Sequence, residues 1–431
     1  MSVYRVPWRR RAQHRRAWIG TLPAETANAF TSFGGNFPTV QVQIDFVTPP
    51  TSPHRSWVDV TADTRSLSIR RGRDNELART TPSTLTLTLS NLQRQYDPTN
   101  TGGAYYGLLL PMRRVRVRVA WNSVIYNLFH GYVEKWPPSW PEEGFDAVVQ
   151  VTATDAFKVL NLHDLGGNSY AAQTSGTRIA AAIEAAGFTT AERSIETGQS
   201  TMGTSGTIAA EVAALTHVQD VVDTENGVLF FNGGGTWVFH DRHHRPLFEA
   251  TSAGTILDNG GSGIYYRDVA ANYGDDFLYN RARVTPAGGT AEIVTNAAST
   301  ANYYTRTVTR DLLVTSQNEA LNCAGYLVAR YKDPYFRVEE VEVVGAAAPS
   351  TVWPLLLPLE ISDRVTFERR PPGGGTITED QFVEAFQFDI DRDRRFDVRL
   401  RMSPADKPGD TAWVLGDAVN GLLGVSTILG Y

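Results

Sequence analysis

The chain has 431 residues, 42% of them hydrophobic and 20% charged, with a net charge of −6. That balance describes a globular chain of roughly two to four domains at about 150 residues each, and it argues against a general nucleic-acid binder. One cysteine, Cys323, excludes an intramolecular disulfide and a cysteine-based metal site, so packing or assembly stabilises the fold.

Residues 1–37 read as a basic arm. Arg5, Arg9, Arg10, Arg11, Arg15 and Arg16 interleave with aromatics and have no acid between them. Such an arm is an extended terminus, or it docks on a neighbouring subunit, an acidic surface or nucleic acid. The basic start lacks the apolar stretch of a secretory signal, and no apolar run is long enough to span a bilayer.

Residues 38–154 alternate apolar and polar side chains with a period of two, which predicts strands with one buried face. Leu85, Leu87 and Leu89 face one way; Thr84, Thr86, Thr88 and Ser90 face the other. Arg114, Arg116 and Arg118 alternate with Val115, Val117 and Val119. Turn-rich segments at 72–75, 97–103 and 120–123 separate the strands, and a β-barrel or sandwich is expected.

The period then changes. Residues 155–265 predict a small α+β domain. Its helix at 177–186 ends at Gly187, a second amphipathic helix ends at Asn226-Gly227, and a hairpin turns at 232–235. Residues 266–404 predict a second β-barrel-like domain with one helix at about 318–331. Ser316 and Glu319 form a capping box there, and Cys323 is a small buried hydrophobe. Residues 405–431 form an apolar, Gly-rich tail that must pack on this chain or on a partner.

No stretch carries a recognisable catalytic site. His240, His243 and His244 offer metal ligands, but Arg242 and Arg245 crowd them with positive charge, which favours a solvated or core-edge cluster. Asp389, Asp391 and Asp393 resemble a calcium-loop opening or glycosidase carboxylates. Arginines follow where a glycine turn and glutamate are needed, and no aromatic platform lies beside them, so a salt-bridged strand face is expected. The glycine-rich pieces match neither a phosphate loop nor a dinucleotide fingerprint. No cofactor and no enzymatic activity are predicted. The Arg114–Arg116–Arg118 stripe is a solvated face, or it meets a neighbour's acids or the phosphates of passing nucleic acid.

A set of motifs carries a family resemblance. WVDVT (57–61), SIRRGR (68–73), YDPTN (96–100), PMRRVRVR (111–118), LFHGYVEKWP (128–137), VTATDAF (151–157), LYNRARVT (278–285) and the terminal LGVSTILGY (423–431) resemble minor tail proteins of siphophages infecting actinobacteria. From about residue 39 onward the order of parts is similar to the baseplate hubs of long-tailed phages. That resemblance implies a mainly β chain in which two barrel-like tube domains flank a small α+β insert. It implies a homotrimeric tail-tip ring in the virion that joins the tail tube to the tip or fibre and forms part of the DNA channel. The distal tail, tape measure and tip or fibre proteins would be its neighbours. A hexameric distal tail ring, or a receptor- or carbohydrate-binding tail protein that stacks sugars on Trp57, Trp121, Trp136 or Trp140, stands as the alternative. Arg114, Arg116, Arg118, Thr84, Thr86 and Thr88 are then candidates for lumen or neighbour contacts. Arg9, Arg10, Arg11, Trp413, Leu415 and Tyr431 are candidates for an assembly arm and tail.

Overall fold

Along Thr81–Ser90 the three leucines are buried and the threonines between them lie at the surface. Each buried leucine contributes roughly 1.5–3 kcal/mol, and a one-residue slip of register would turn all three to water. The same logic sets the other strands of the first β-unit. The computed structural model describes residues 35–52, 54–142, 146–248, 251–258, 262–392 and 395–405.

The first unit comprises β1 (Thr39–Asp45), β2 (Trp57–Asp59), β3 (Thr64–Gly72), β4 (Thr81–Ser90), β5 (Arg114–Trp121), β6 (Val124–Lys135), β7 (Pro138–Glu142) and β8 (Asp146–Thr154). These strands run β2–β1–β5–β6–β8–β4–β3, with β7 flanking β8. The short turn Thr61–Asp63 lets one length of chain pair with β1 through β2 and with β4 through β3. The sheet thereby rolls around Val42, Ile44, Leu87, Val117, Phe129 and Val149.

A second unit closes fully. It contains β9 (Thr255–Leu257), β10 (Ile264–Asn272), β11 (Arg337–Val343), β12 (Arg364–Arg369), β13 (Ile377–Asp391) and β14 (Phe396–Pro404). The order β13–β12–β9–β10–β11–β14 returns to β13, because β14 pairs with it. This is a six-stranded barrel, and closure leaves it no free edge. The two units are one sheet: residues 66–72 of β3 pair antiparallel with residues 385–391 of β13.

The remaining elements share a separate core. Helices α1 (Phe157–Leu162), α2 (Ser175–Ala185) and α3 (Ala214–Glu225) bring Phe157, Ile179 and Val218 against Trp237 and Phe239. The three-stranded sheet Arg281–Pro286, Glu292–Thr295 and Thr307–Leu312, with helix α4 (Gln317–Tyr331), packs into that same core through Val284, Leu312, Ala324 and Leu327. This differs from the expected partition. The periodicity groups residues 281–331 with the second β-domain, yet they pack beside 155–240, and the barrel itself takes its first strand from Thr255–Leu257. Strand periodicity reports a buried face; it does not report which sheet that face covers. Half of the expected capping box forms: the Ser316 side chain accepts from the Glu319 amide at 3.3 Å, but the Glu319 carboxylate turns to Ser200 and Arg242 instead of the Ser316 amide. Cys323 is buried.

Three bodies meet at Glu384, fully buried where β13 bulges. Arg73, just beyond β3, donates to it at 2.6 Å; Arg245, on the segment leaving the α+β core, donates at 2.8 and 3.1 Å; Ser403 of β14 donates at 2.5 Å. Burial alone would raise the Glu384 pKa, but Arg245 and Arg73 outweigh it and hold the carboxyl well below its ordinary range.

Candidate functional site: a polar face across both barrels

Cross-strand partners in an antiparallel sheet lie on the same face, so the register reads out what the joined sheet presents to solvent. One row runs Gln150, Thr88, Ser66, Asp391. The next runs Thr152, Thr86, Ser68, Asp389, Asp397. A third crosses seven strands, β8–β4–β3–β13–β14–β11–β10, through Thr154, Thr84, Arg70, Gln387, Arg399, Glu342 and Asp268. The residues alternating with these rows, such as Leu87, Ile69, Phe388, Val398 and Val341, are all buried in one apolar core.

The face has two halves. The first barrel supplies mostly hydroxyls; Arg70 of β3 and the second barrel supply charge, and these arginines are paired. Arg70 meets Asp74 at 2.5 Å. Arg401 meets Asp74 at 2.8 Å and Glu340 at 3.2 Å. Arg399 sits 3.7 Å from Glu342 and 3.9 Å from Asp389. Arg267 pairs with Glu342 and lies 3.7 Å from Asp397, which also holds Arg395 at 2.5 Å. At the seam, Ser68 donates to Asp389 at 2.7 Å, tying the hydroxyl half to the charged half.

Thr84, Thr86 and Thr88 therefore stand on a face shared by both barrels. The arginine row does not. Strand β5 lies across the first barrel from β4, so the two rows point in opposite directions. Arg114 is 5% exposed and donates to the carbonyls of Ser52 and Pro50 in its own chain, which corrects its reading as a neighbour or lumen contact. Arg116 stacks 4.3 Å over the Trp57 ring and donates to Gln43 at 2.8 Å. Arg118 donates to Gln41 at 2.7 Å and to Gln43 at 3.1 Å. Beside this row, half-buried His130 is pushed down to about 3 by desolvation and by Arg114, Arg55 and Arg116. The glycine turn at 232–235 closes over it: Gly235 has φ +92°, and a Cβ there would sit 1.9 Å from the His130 ring. His130 thus meets the α+β core, while the three arginines beside it make their contacts within the first barrel.

Arg9, Arg10, Arg11, Trp413, Leu415 and Tyr431 lie outside the described residues, as do most of the arm and tail. So does Asp393. Asp389 lies on a salt-bridged strand face, as expected from the arginines around it. His240 stacks on His244 at 3.4 Å, and His244 reaches Glu196 at 2.6 Å. Burial, His244 and Arg245 push His240 down to about 3. Among the described residues, no group of three or more His, Cys, Asp or Glu side chains could hold a metal ion, and no helix is long and apolar enough to cross a membrane. A cleft of about 340 Å³ opens at the rim of the polar face between Asp74, Arg401, Glu340 and Phe277. Its Asp74, Arg401 and Glu340 side chains already pair with one another. Sequence reasoning missed Glu384 and the continuity of the face; neither has a local signal.

The joined barrels with an α+β unit define a class of fold found in phage tail proteins. The chain is similar to the 43 kDa tail protein of prophage MuSo2 from Shewanella oneidensis, with a TM-score of 0.54 and 14% identity over 85% of this chain and 98% of that one. It is similar to a tail protein from Neisseria meningitidis MC58, with a TM-score of 0.56 and 10% identity over 84% of this chain and 96% of that one. No protein-family model matches the chain, and no curated protein matches it.

Proposed function

We propose that this protein is the hub of a phage tail tip: a structural, non-enzymatic ring subunit of the virion that joins the tail tube to the tip or fibre and lines part of the DNA channel. The observation that carries this reading is the polar face that crosses from one barrel into the other without a break. Two barrels per chain give six around a threefold axis, a match for a sixfold tube above. Closed symmetry also buries surfaces that a lone chain would expose.

In this reading the Thr84–Thr86–Thr88 row lines the lumen, while the arginine row serves within the chain. The distal tail, tape measure and tip or fibre proteins would be its neighbours, with the basic arm and apolar tail as assembly contacts.

Cryo-electron microscopy of the tail tip tests this by counting copies around the axis. Three copies with the β4 face inward are expected. Six copies would point to a distal tail ring, and a monomer hanging from a fibre would point to receptor binding.

A further inference from the structure

Among the described residues, Arg70 of β3 and Arg267, Arg395, Arg399 and Arg401 of the second barrel are each held by a carboxylate on or beside this face. Exposed ion pairs of this kind contribute little to stability. Arg70, Arg267, Arg395 and Arg401 are 41–55% exposed at the side chain, so burial does not demand their partners. Five arginines on one surface, unopposed, would form a phosphate-binding stripe, because each neutralised phosphate releases counterions and adds to affinity. The carboxylates prevent this. Asp74 stands between Arg70 and Arg401, Glu342 between Arg267 and Arg399, and Asp397 between Arg267 and Arg395. Beyond the seam the first barrel presents only hydroxyls and amides along the first two rows, Thr88 and Ser66, Thr86 and Ser68.

We propose that Asp74, Glu340, Glu342 and Asp397 act as a built-in guard that lets a DNA duplex pass this face without being retained. The inference rests on the channel reading above and adds the residues that set the surface's low affinity for a polyanion. The arginines remain because they pair the strands and keep the face from becoming strongly acidic, which would repel the duplex instead.

The test uses the purified full chain and a fluorescently labelled DNA duplex, with binding read by anisotropy as a function of salt. The basic residues of 1–37 give a background common to all variants. The variant Asp74→Asn/Glu340→Gln/Glu342→Gln/Asp397→Asn is expected to bind at least tenfold more tightly than wild type. Its salt dependence should steepen by about 0.9 in log–log slope for each arginine released. Adding Arg399→Gln and Arg401→Gln should remove most of that gain. The far-ultraviolet circular dichroism spectrum shows that each variant is folded, and for a variant that fails this check, Glu342→Gln/Asp397→Asn alone is compared with wild type. A folded neutralised variant that binds no better than wild type overturns the proposal. Wild type that binds through this face, losing affinity on Arg399→Gln/Arg401→Gln, also overturns it. Ring geometry is read separately by electron microscopy: a binding gain without a trimeric ring keeps the guard and sinks the hub reading, and a trimeric ring without the gain does the reverse.

Discussion

The Arg73 guanidinium donates to Glu384 at 2.6 Å across 311 residues of sequence. The contact ties the end of β3 to the bulge of β13, where the two barrels become one sheet. Arg245 reaches the same carboxylate from the α+β core, so one buried side chain sets the mutual position of three bodies. Removing the acid leaves two arginines in a site with little water. Glu384→Ala is expected to cost roughly 3–5 kcal/mol, the usual penalty for breaking a buried pair from one side. Chemical denaturation should show this as a large fall in midpoint; a fall of under about 1 kcal/mol would mean that the arginines find other acceptors.

Acid sensitivity follows from groups held below their ordinary pKa. His130 and His240 are both pushed down to about 3, first by burial. Unfolded histidine titrates near 6.5, so the folded state binds fewer protons between about 3 and 6.5. Their contribution is complete above pH 6.5 and is lost as pH falls towards 3. Glu384 has the same sign, full above about 4.3 and lost at lower pH. The double variant His130→Asn/His240→Asn should therefore lose less melting temperature than wild type between pH 7 and pH 4. Parallel curves for the two proteins would refute this.

Asp155 works in the opposite direction. Burial raises it to about 7, against hydrogen bonds from the Ser83 and Phe157 amides. It sits where β8 gives way to α1, joining the first barrel to the α+β core. A raised carboxyl contributes most below its unfolded value near 3.9, and that contribution is lost as pH rises through 7. The melting-temperature difference between Asp155→Asn and wild type should shift in the variant's favour between pH 5 and pH 8. A difference that stays constant would place the ionised form in better solvation than this burial allows.

Gly72 is the backbone counterpart of Glu384. It has φ +108°, and a Cβ would lie 2.1 Å from the Glu384 carbonyl oxygen. Gly72→Ala therefore combines backbone strain with a clash against a strand that cannot retreat. A cost of at least roughly 1–3 kcal/mol is expected, together with faster amide exchange at residues 385–391. Gly107, with φ +76° and nothing within 4 Å, is the control, where alanine should bring strain without loosening the seam.

Much of this was legible in the chain because a strand's period of two is written locally. Leu85, Leu87 and Leu89 announce a buried face, and Ser316 with Glu319 announces the start of α4. Pairing is not local. Ser68 and Asp389 are hydrogen-bonded across 321 residues, and neither residue's neighbours say so. For the same reason Arg281–Pro286 reads as a strand but carries no mark of the core it joins. The two polar rows of the first barrel looked equivalent in sequence; only the strand order β1–β5–β6–β8–β4–β3 sets them back to back. The Arg73–Glu384–Arg245 contact draws one residue from each body, so no window along the chain contains it.

That back-to-back arrangement yields a paired prediction about function. Thr86 is half-buried on the shared polar face, between Ser68 and Thr152. Arg118 is half-buried on the opposite face and donates to Gln41 and Gln43 of its own barrel. Thr86→Arg keeps a strand position with an outward side chain and should cost no more than about 1 kcal/mol of stability. It also adds a cation to the hydroxyl half, where the nearest carboxylate along the row, Asp389, is already engaged by Ser68 and Arg399. Arg118→Ala should cost a similar amount by leaving the Gln41 side-chain oxygen short of a donor, while Gln43 keeps Arg116. If the Thr row lines the channel, particles assembled with Thr86→Arg release their genome more slowly, while particles with Arg118→Ala release it at the wild-type rate. Release followed by a DNA-binding dye separates the two; equal rates for Thr86→Arg and wild type would move the lumen to another face of the barrels.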